Sequence, residues 1–209
     1  MGLGHGKAIA SIAAALALAG CAGMHGAGSG MHGAGASAWT TLIDGDQGLG
    51  NFSRVGDADW HAADGAIVAD RKESKPSAFL VTRDSYRDFE VYAEFWVSHD
   101  ANSGIYMRCA DSKAPTDTTC YEANIFDERP DPSYGTGAIT NFVKVKELYK
   151  TGGQWNVFDI TVRGPHIVVK LNGKQTAAFD DATKMTSGAF GLQYAQGVVK
   201  FRKLEIRPL

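Results

Sequence analysis

The sequence predicts an all-β fold, a two-sheet antiparallel jelly-roll sandwich in a single domain. Short segments rich in Val, Ile, Phe and Tyr recur along residues 39–209, and several alternate apolar and polar residues, which is typical of half-buried strands. Gly, Asn and Asp separate these segments, as at Asn172-Gly173, a dipeptide that favours a type I′ hairpin turn. No segment shows three turns of helical periodicity, which favours an antiparallel sandwich over an α/β fold.

The clearest strand is predicted at residues 89–97, where apolar Val91 and Phe95 alternate with Glu90 and Glu94. This alternation indicates a strand with one face in the core and the other in solvent. The remaining predicted strands are 66–69, 79–82, 104–109, 121–126, 156–163, 166–171, 189–194 and 198–206.

Composition and charge narrow the function classes. The chain has 209 residues, of which 44% are hydrophobic and 21% are charged, and this suits one globular domain with appendages. The formal net charge is −2, and Lys and Arg occur singly rather than in a basic stripe. Nucleic acid is therefore not expected as a partner.

Residues 1–20 are predicted to be a lipoprotein signal peptide. Lys7 precedes a run of about a dozen small or apolar residues, which is too short for a bilayer-spanning helix. The run ends in Leu18-Ala19-Gly20-Cys21, which resembles a bacterial lipobox. We therefore expect lipidation at Cys21, a membrane anchor, and a place in the bacterial cell envelope, facing the periplasm or exposed at the surface.

Residues 21–38 are predicted to be the lipidated Cys and a flexible tether, and the jelly-roll domain is placed at 39–209. The heptamer MHGAGSG at 24–30 is nearly repeated as MHGAGAS at 31–37, and such Gly and Ala density buries too little apolar surface to fold. The Met-His pairs also suit a soft metal such as copper, although linker duplication is the simpler interpretation.

Cys109 and Cys120 form an even pair once Cys21 is assigned to the anchor, and an exported protein lies in an oxidising compartment. This predicts a disulfide that closes a loop at residues 110–119. No further Cys and no clustered His lie near the pair, so neither a metal site nor a redox role is predicted for it. No cofactor is predicted, and the question of a divalent metal stays open.

Two strand-like segments, 102–108 and 121–127, carry the candidate site. Arg, Glu and Asn occupy alternate positions in them, so one sheet face would present a convergent set of polar groups suited to a sugar. The candidate site residues in these segments are Arg108, Glu122, Asn124, Tyr106, Asn102 and Asp127.

Strand geometry limits these assignments. Glu122 and Asn124 share a face roughly 6.6 Å apart, whereas Asp127 is five residues from Glu122, on the opposite face and roughly 16 Å away. An ordinary glycosidase pair needs about 5 to 9.5 Å, so Asp127 is placed past a strand end or bulge, or caps the following turn. If Cys109 and Cys120 lay directly opposite in a hairpin, Arg108 and Glu122 would face opposite sides.

Ten short motifs occur in order along the chain: LIDG (42–45), WHAADG (60–65), YRDFE (86–90), NSGI (102–105), YEANIFD (121–127), TGAI (136–139), QWN (154–156), LNG (171–173), GLQ (191–193) and FRKL (201–204). Together they resemble the 3-keto-disaccharide hydrolase domain family from about Trp39 to Leu209. The resemblance implies a concanavalin A-like (laminin G-like) jelly roll that acts on keto-sugars or at least binds carbohydrate. The chain departs from the family at Asn124, usually Gln, at the inserted residues 110–119, and at Thr140, commonly an aromatic residue.

Together with the lipobox-like segment, the resemblance implies an exported, membrane-anchored hydrolase of 3-keto-glycosides or related disaccharides. The chemistry of such a substrate favours elimination followed by hydration: the C3 carbonyl acidifies the proton on C2, a base removes it, and the enolate expels the oxygen on C1. The expected catalytic residues are then Glu122 as the base, Arg108, which would hold negative charge, and Asp127 as a second carboxylate or a metal ligand. The expected substrate-binding residues are Asn124, Tyr106, Asn102 and Gln193, of which Asn124 and Gln193 would bind hydroxyls. Alternatively Arg108 and Glu122 form only a cross-strand ion pair, and the protein is a non-catalytic carbohydrate-binding lipoprotein or a structural, adhesive envelope domain.

Overall fold

The computed structural model describes Met1 and residues 37–209, of which the latter form two antiparallel sheets packed face to face. The predicted all-β sandwich is confirmed. The predicted signal peptide, the lipidation site at Cys21 and nearly all of the tether lie outside the described residues. Within the described part of the chain, no helix is long and apolar enough to cross a membrane.

Thirteen strands make up the sandwich. They are β1 (Thr40–Asp44), β2 (Phe52–Val55), β3 (Trp60–Ala63), β4 (Ala66–Ala69), β5 (Ala78–Tyr86), β6 (Phe89–Val97), β7 (Asn102–Cys109), β8 (Tyr121–Ile125), β9 (Trp155–Arg163), β10 (His166–Leu171), β11 (Lys174–Phe179), β12 (Gly188–Gln196) and β13 (Val199–Pro208). The larger sheet has the order β11-β10-β9-β6-β13-β4-β3, with β1 also paired to β13. The smaller sheet has the order β2-β5-β12-β7-β8. Single 3₁₀ turns lie at Leu49–Asn51 and Pro132–Tyr134.

All nine predicted strands are present, three of them with the predicted bounds: β4, β6 and β10. Four further strands were not predicted: β1, β2, β3 and β11. The first three are four or five residues long and contain Asp, Ser, Arg or His, so each is too short and too polar to show a clear apolar period.

Alternation along the strands places the apolar side chains between the sheets. In β6 every second residue from Phe89 to Val97 is buried, as predicted. Phe95 packs against Phe158 of β9, with ring centroids 4.9 Å apart, and the smaller sheet contributes Ile105 and Leu192 to the same core. Full burial of such a side chain contributes about 1.5–3 kcal/mol relative to exposure, so this layer supplies most of the stabilisation.

The Asn172-Gly173 turn forms the predicted hairpin between β10 and β11. Both residues have positive φ, 51° and 80°, as a type I′ turn requires. The Asn172 side chain accepts a hydrogen bond from Val157 N at 2.8 Å and donates one to Asn156 Oδ1 at 3.0 Å. The turn is thereby attached to the neighbouring strand β9.

A bulge in β7 decides which side chains reach the outer face of the smaller sheet. Against β12, Tyr106 pairs with Gly191 and Cys109 pairs with Ala189, so three steps along β7 match two steps along β12. The extra residue is Arg108, which has a positive φ of 51°. Regular alternation would put Arg108 on the same face as Tyr106, but the bulge puts Cys109 there and turns Arg108 away.

Candidate functional site

The candidate site lies on the outer face of the smaller sheet. Tyr106 of β7 pairs with Glu122 of β8, and Gln193 of β12 pairs with both Gly104 of β7 and Phe79 of β5. These residues point away from the core because their chain neighbours are buried within it. They form the floor of a cleft of about 360 Å³ lined by Pro76, Ser77, Phe79, Asn102, Tyr106, Pro115, Thr116, Asp117, Glu122, Arg129 and Gln193.

Four of the seven predicted site residues therefore share one cleft: Glu122, Tyr106, Asn102 and Gln193. Glu122 is central among them, and its side chain is only 4% exposed. It has room because its diagonal neighbour on β7 is Gly104: a methyl group at residue 104 would stand 2.5 Å from Glu122 Oε1. A glycine inside a strand can mark such a close approach, and this was the available sequence signal for Gly104.

Burial raises the pKa of Glu122 to about 7, because a charge on the carboxyl is poorly solvated there. The nearby Thr140 hydroxyl and the positive charge of Arg129 act in the opposite direction, and the negative charge of Asp117 adds to the increase. A carboxyl with a pKa close to neutral pH can both accept and return a proton, which is what general acid–base catalysis requires.

Two buried amide oxygens on this sheet face, Asn124 Oδ1 and Gln193 Oε1, have no hydrogen-bond partner among the described residues. Thr140 is attached to the Glu122 backbone, since Thr140 N donates to Glu122 O at 3.0 Å. Buried polar groups are nearly always satisfied, so the unsatisfied oxygen of Gln193, which lines the cleft, indicates a place where a polar ligand group or water binds.

Tyr106 and Gln193 form a rigid pair on the cleft floor. Gln193 Nε2 donates to the Tyr106 hydroxyl at 2.9 Å and to Ser77 Oγ at 3.2 Å. Burial raises the pKa of Tyr106 well above its ordinary value, and the charge of Glu122 raises it further. The Tyr106 ring also packs edge-on against Phe79, with centroids 5.0 Å apart, which gives the floor an apolar patch beside its polar groups.

Arg129 supplies the positive charge that was expected from Arg108. It lies in the turn after β8, lines the cleft with Glu122, and lowers the pKa values of both Glu122 and Tyr106. Within the described part of the chain its guanidinium takes part in no ion pair. No sequence pattern marked Arg129, because its position depends on the path of an irregular turn.

The predicted place of Arg108 in the site is wrong. Its side chain is 1% exposed, on the far side of the bulge from Glu122. It donates to the carbonyls of Arg87 at 2.7 Å and Gly164 at 2.8 Å, and it pairs with Asp88 Oδ1 at 3.0 Å. Arg108 therefore ties the end of β7 to two loops of the larger sheet and has no contact with the cleft. The alternative of an Arg108–Glu122 ion pair is equally excluded.

Asp127 also lies outside the cleft, two residues beyond the end of β8, as the spacing argument required. Its carboxylate accepts hydrogen bonds from Thr136 Oγ1 (2.6 Å), Thr151 Oγ1 (2.9 Å), Thr151 N (2.5 Å) and Gly152 N (3.0 Å). A carboxylate with four donors has little capacity left for substrate. The predicted catalytic role of Asp127 is therefore not supported. Its carboxylate instead stabilises the loop that carries Arg129.

Asn124 shares the face of Glu122, as predicted, but is fully buried and does not line the cleft. Its Nδ2 donates to Tyr134 O at 2.6 Å, which fixes the amide orientation because a carbonyl can only accept. Asn124 and Asp127 hold the two ends of the turn that carries Arg129.

The predicted disulfide between Cys109 and Cys120 is present. Both sulfurs belong to an outer-face cluster with Tyr106 and Phe79. The loop that they close, residues 110–119, therefore lies beside the cleft, and its residues Pro115, Thr116 and Asp117 form one wall.

Possible metal ligands come together at one place among residues 37–209. Asp59, His61 and Asp70 bring one ligand atom each within 4.8 Å of one another. Arg71 already pairs with Asp59 at 2.7 Å, and the cluster lies outside the cleft lining, so it is interpreted as a surface charge network.

A family model described as the 3-keto-alpha-glucoside-1,2-lyase-like domain matches residues 38–207. The chain belongs to this family. The match spans the whole described sandwich, including every residue that lines the cleft, and it confirms the resemblance drawn from the ten sequence motifs. No curated protein matches the chain significantly.

Solved structures support the same fold. A proposed glycosyl hydrolase from Parabacteroides distasonis ATCC 8503 is 26% identical, with a TM-score of 0.67 over 82% of this chain and 100% of its own. A second one from that organism is 19% identical, with a TM-score of 0.68 over 82% and 94%. The carbohydrate-binding module CBM66 from Bacillus subtilis is 14% identical, with a TM-score of 0.53 over 82% and 96%.

Proposed function

We propose that this protein is a carbohydrate-active enzyme that cleaves 3-keto-glycosides by elimination, with Glu122 as the base, and that hydration of the product completes a net hydrolysis. The observation that carries the proposal is the buried Glu122 carboxyl, with its pKa near 7, in an open cleft that Arg129, Tyr106 and the unsatisfied amide oxygen of Gln193 also line. Membership of a 1,2-lyase-like family and the likeness to a proposed glycosyl hydrolase support it.

The elimination assigns a role to each cleft group. The Glu122 carboxylate takes the proton from C2, the electron pair moves into the C2–C3 bond, and negative charge develops on the C3 oxygen. Arg129 and the Tyr106 hydroxyl are the candidate groups that stabilise this charge. The enolate then re-forms the C3 carbonyl and a C1–C2 double bond, the C1–O bond breaks with its electrons going to the leaving oxygen, and that oxygen takes up a proton from solvent water.

Hydration gives a saturated 3-keto sugar with a free hydroxyl on C1, and the carbonyl at C3 is retained. Water adds across the C1–C2 double bond, with its hydroxyl bound to C1 and a proton returned to C2. Glu122, protonated in the first step, is the group placed to return that proton. Asn102 and the free oxygen of Gln193 are the candidate partners of sugar hydroxyls, because both line the cleft next to Glu122.

The test is turnover of 3-keto-trehalose or 3-keto-sucrose by wild type and by Glu122→Gln. Loss of a general base typically costs about 10²- to 10⁴-fold in rate, so Glu122→Gln is expected to fall to the background level while its circular dichroism spectrum is unchanged. Glu128→Gln, an exposed carboxyl outside the cleft lining, is the matched control and should retain wild-type turnover. Wild-type turnover in Glu122→Gln would remove Glu122 as the base.

A non-catalytic carbohydrate-binding protein is the second candidate. The free amide oxygen of Gln193 and the apolar patch of Phe79 and Tyr106 suit a sugar whether or not a bond is broken. CBM66, a carbohydrate-binding module, has a similar fold. Glycan binding without turnover by wild type would favour this candidate. If wild type showed neither glycan binding nor turnover, the remaining interpretation would be a structural, adhesive envelope domain.

We also propose that the protein is exported and anchored through a lipid on Cys21, with residues 22–38 as the tether. The support is the lipobox-like LAGC at residues 18–21. Cys21→Ser in a bacterial host should move the protein from the membrane fraction to the soluble fraction and abolish labelling by a lipid precursor. Unchanged membrane association of Cys21→Ser would contradict the anchor.

A further inference from the structure

The Cys109–Cys120 loop, residues 110–119, is held rigidly at the edge of the cleft. Besides the disulfide, Ala110 N donates to Thr119 O at 3.0 Å and closes the loop at its base. At its tip, Thr119 N and Cys120 N both donate to Thr116 O, at 3.1 and 3.0 Å. Such a loop presents its side chains in fixed positions, which lowers the entropy cost of binding a ligand.

Asp117 is the charged group that this loop brings to the cleft. It lies inside the Thr116–Thr119 turn, and its Oδ2 accepts a hydrogen bond from Asn141 Nδ2 at 3.0 Å. Asn141 follows Thr140, the residue beside Glu122, so the loop is attached to the same segment that borders the candidate base. No hydrogen bond among the described residues engages Asp117 Oδ1.

The stereochemistry of the elimination indicates what Asp117 meets. In the chair form of an α-glucoside, the hydrogen on C2 and the oxygen on C1 are both axial and point to opposite faces of the ring. If Glu122 on the sheet takes the C2 hydrogen, the leaving group points away from the sheet. Pro115, Thr116 and Asp117 line the same cleft from the loop and not from the sheet, so they are among the groups available to contact that leaving group.

We propose that Asp117 is a specificity-determining residue that binds the hydroxyls of the departing sugar and so selects 3-keto-disaccharides over 3-keto-glycosides with a small leaving group. The inference rests on the proposed function and assigns the leaving-group subsite to the Cys109–Cys120 loop. A carboxylate with one free oxygen suits the paired hydroxyls of a sugar, and a charge-assisted hydrogen bond is stronger than a neutral one.

The test compares two substrates that share the keto ring: 3-keto-trehalose, whose leaving group is glucose, and methyl 3-keto-α-glucoside, whose leaving group is methanol. Loss of a hydrogen bond to a charged group costs about tenfold or more. Asp117→Ala should therefore lower kcat/KM for 3-keto-trehalose about tenfold or more and leave the methyl glycoside within about twofold. Asp111→Ala is the control, since Asp111 belongs to the same loop but does not line the cleft.

Equal losses on both substrates, or no loss on either, would overturn the specificity role of Asp117. A wild type that converts neither substrate would contradict the proposed function instead. Calorimetry in the Glu122→Gln background separates the two cases, because it measures binding without turnover. There, Asp117→Ala should weaken binding of 3-keto-trehalose about tenfold and leave that of the methyl glycoside unchanged, and unchanged binding of both would overturn the inference.

Discussion

The Glu122 side chain of β8 lies diagonally across Gly104 of β7 and occupies the space that a side chain at residue 104 would need. A methyl group at Gly104 would lie 2.5 Å from Glu122 Oε1 and 2.9 Å from its Cγ. The candidate base can therefore lie over β7 because this diagonal neighbour, whose own cross-strand partner is Asn124, has no side chain.

Gly104→Ala is expected to displace the Glu122 carboxyl and reduce kcat/KM about a hundredfold, since a misplacement of about 1 Å can cost that much. The fold should survive because the new methyl group points outward. Steady-state kinetics with 3-keto-trehalose measures the loss. Gly191→Ala is the control: it lies on the same face, where a methyl group would meet its nearest atoms at an ordinary 3.7 Å. An equal loss in both variants would contradict the steric explanation.

Glu122→Gln is expected to stabilise the protein at alkaline pH. Folding raises the pKa of Glu122 from 4.5 to about 7, so the folded state holds a proton that the unfolded state releases between these values. Stability from this group is complete below pH 4.5 and is lost as pH rises to about 7, which corresponds to about 3 kcal/mol. Urea unfolding should show Glu122→Gln gaining up to this amount at pH 8 and nothing at pH 4. A gain independent of pH would contradict the assignment.

The acid limb of the kcat/KM profile is expected at an apparent pKa of about 7, because only ionised Glu122 can take the C2 proton. Arg129 lowers the pKa of this carboxyl and Asp117 raises it. Arg129→Ala should therefore move the limb to higher pH, and Asp117→Asn should move it to lower pH. Displacement of the acid limb in opposite directions by the two substitutions would identify Glu122 as the titrating group. If the limb moves in neither variant, it belongs to another group.

Arg108→Ala is expected to destabilise the fold by about 3–5 kcal/mol, since it leaves Asp88 without its partner and several buried carbonyls without donors. Chemical unfolding measures the loss. Arg87→Ala, at an exposed neighbour, should stay within about 0.5 kcal/mol of wild type. The folded fraction of Arg108→Ala should bind 3-keto-trehalose with wild-type affinity. A loss of binding in folded protein would instead indicate that Arg108 belongs to the site.

The strands that the sequence predicts best are those with strong alternation, such as β6 and β9, because burial of one face imposes a period of two. The hairpin before β11 followed from Asn172-Gly173, yet β11 itself was not predicted, since its sequence KQTAAF has little apolar period. Alternation also correctly placed Glu122, Tyr106 and Asn124 on one face. Periodicity carries this information only while a strand is regular.

The incorrect and missed site residues lie where the backbone departs from regular strand geometry. One added residue at position 108 changes the face of Arg108, and a positive φ at an arginine, unlike that of Asn172 in an Asn-Gly turn, leaves no mark in the sequence. The spacing argument recognised that a Cys109–Cys120 pair directly opposite in a hairpin would put Arg108 and Glu122 on opposite sides, but it could not decide whether that pairing occurs. Arg129 and Asp117 reach the cleft from turns, whose paths depend on tertiary contacts such as the Asp117–Asn141 hydrogen bond.

The bulge at Arg108 also determines which residues must be transferred when the Cys109–Cys120 loop is grafted onto a related protein. Cys109 reaches the outer face only because the strand gains one residue before it, so the disulfide and its loop depend on a backbone feature upstream. The same loop grafted onto a regular strand would leave from the core side and lose its cysteine pairing. A transplant that carries leaving-group selectivity must therefore move residues 107–120 as one cassette, together with acceptors for the Arg108 guanidinium.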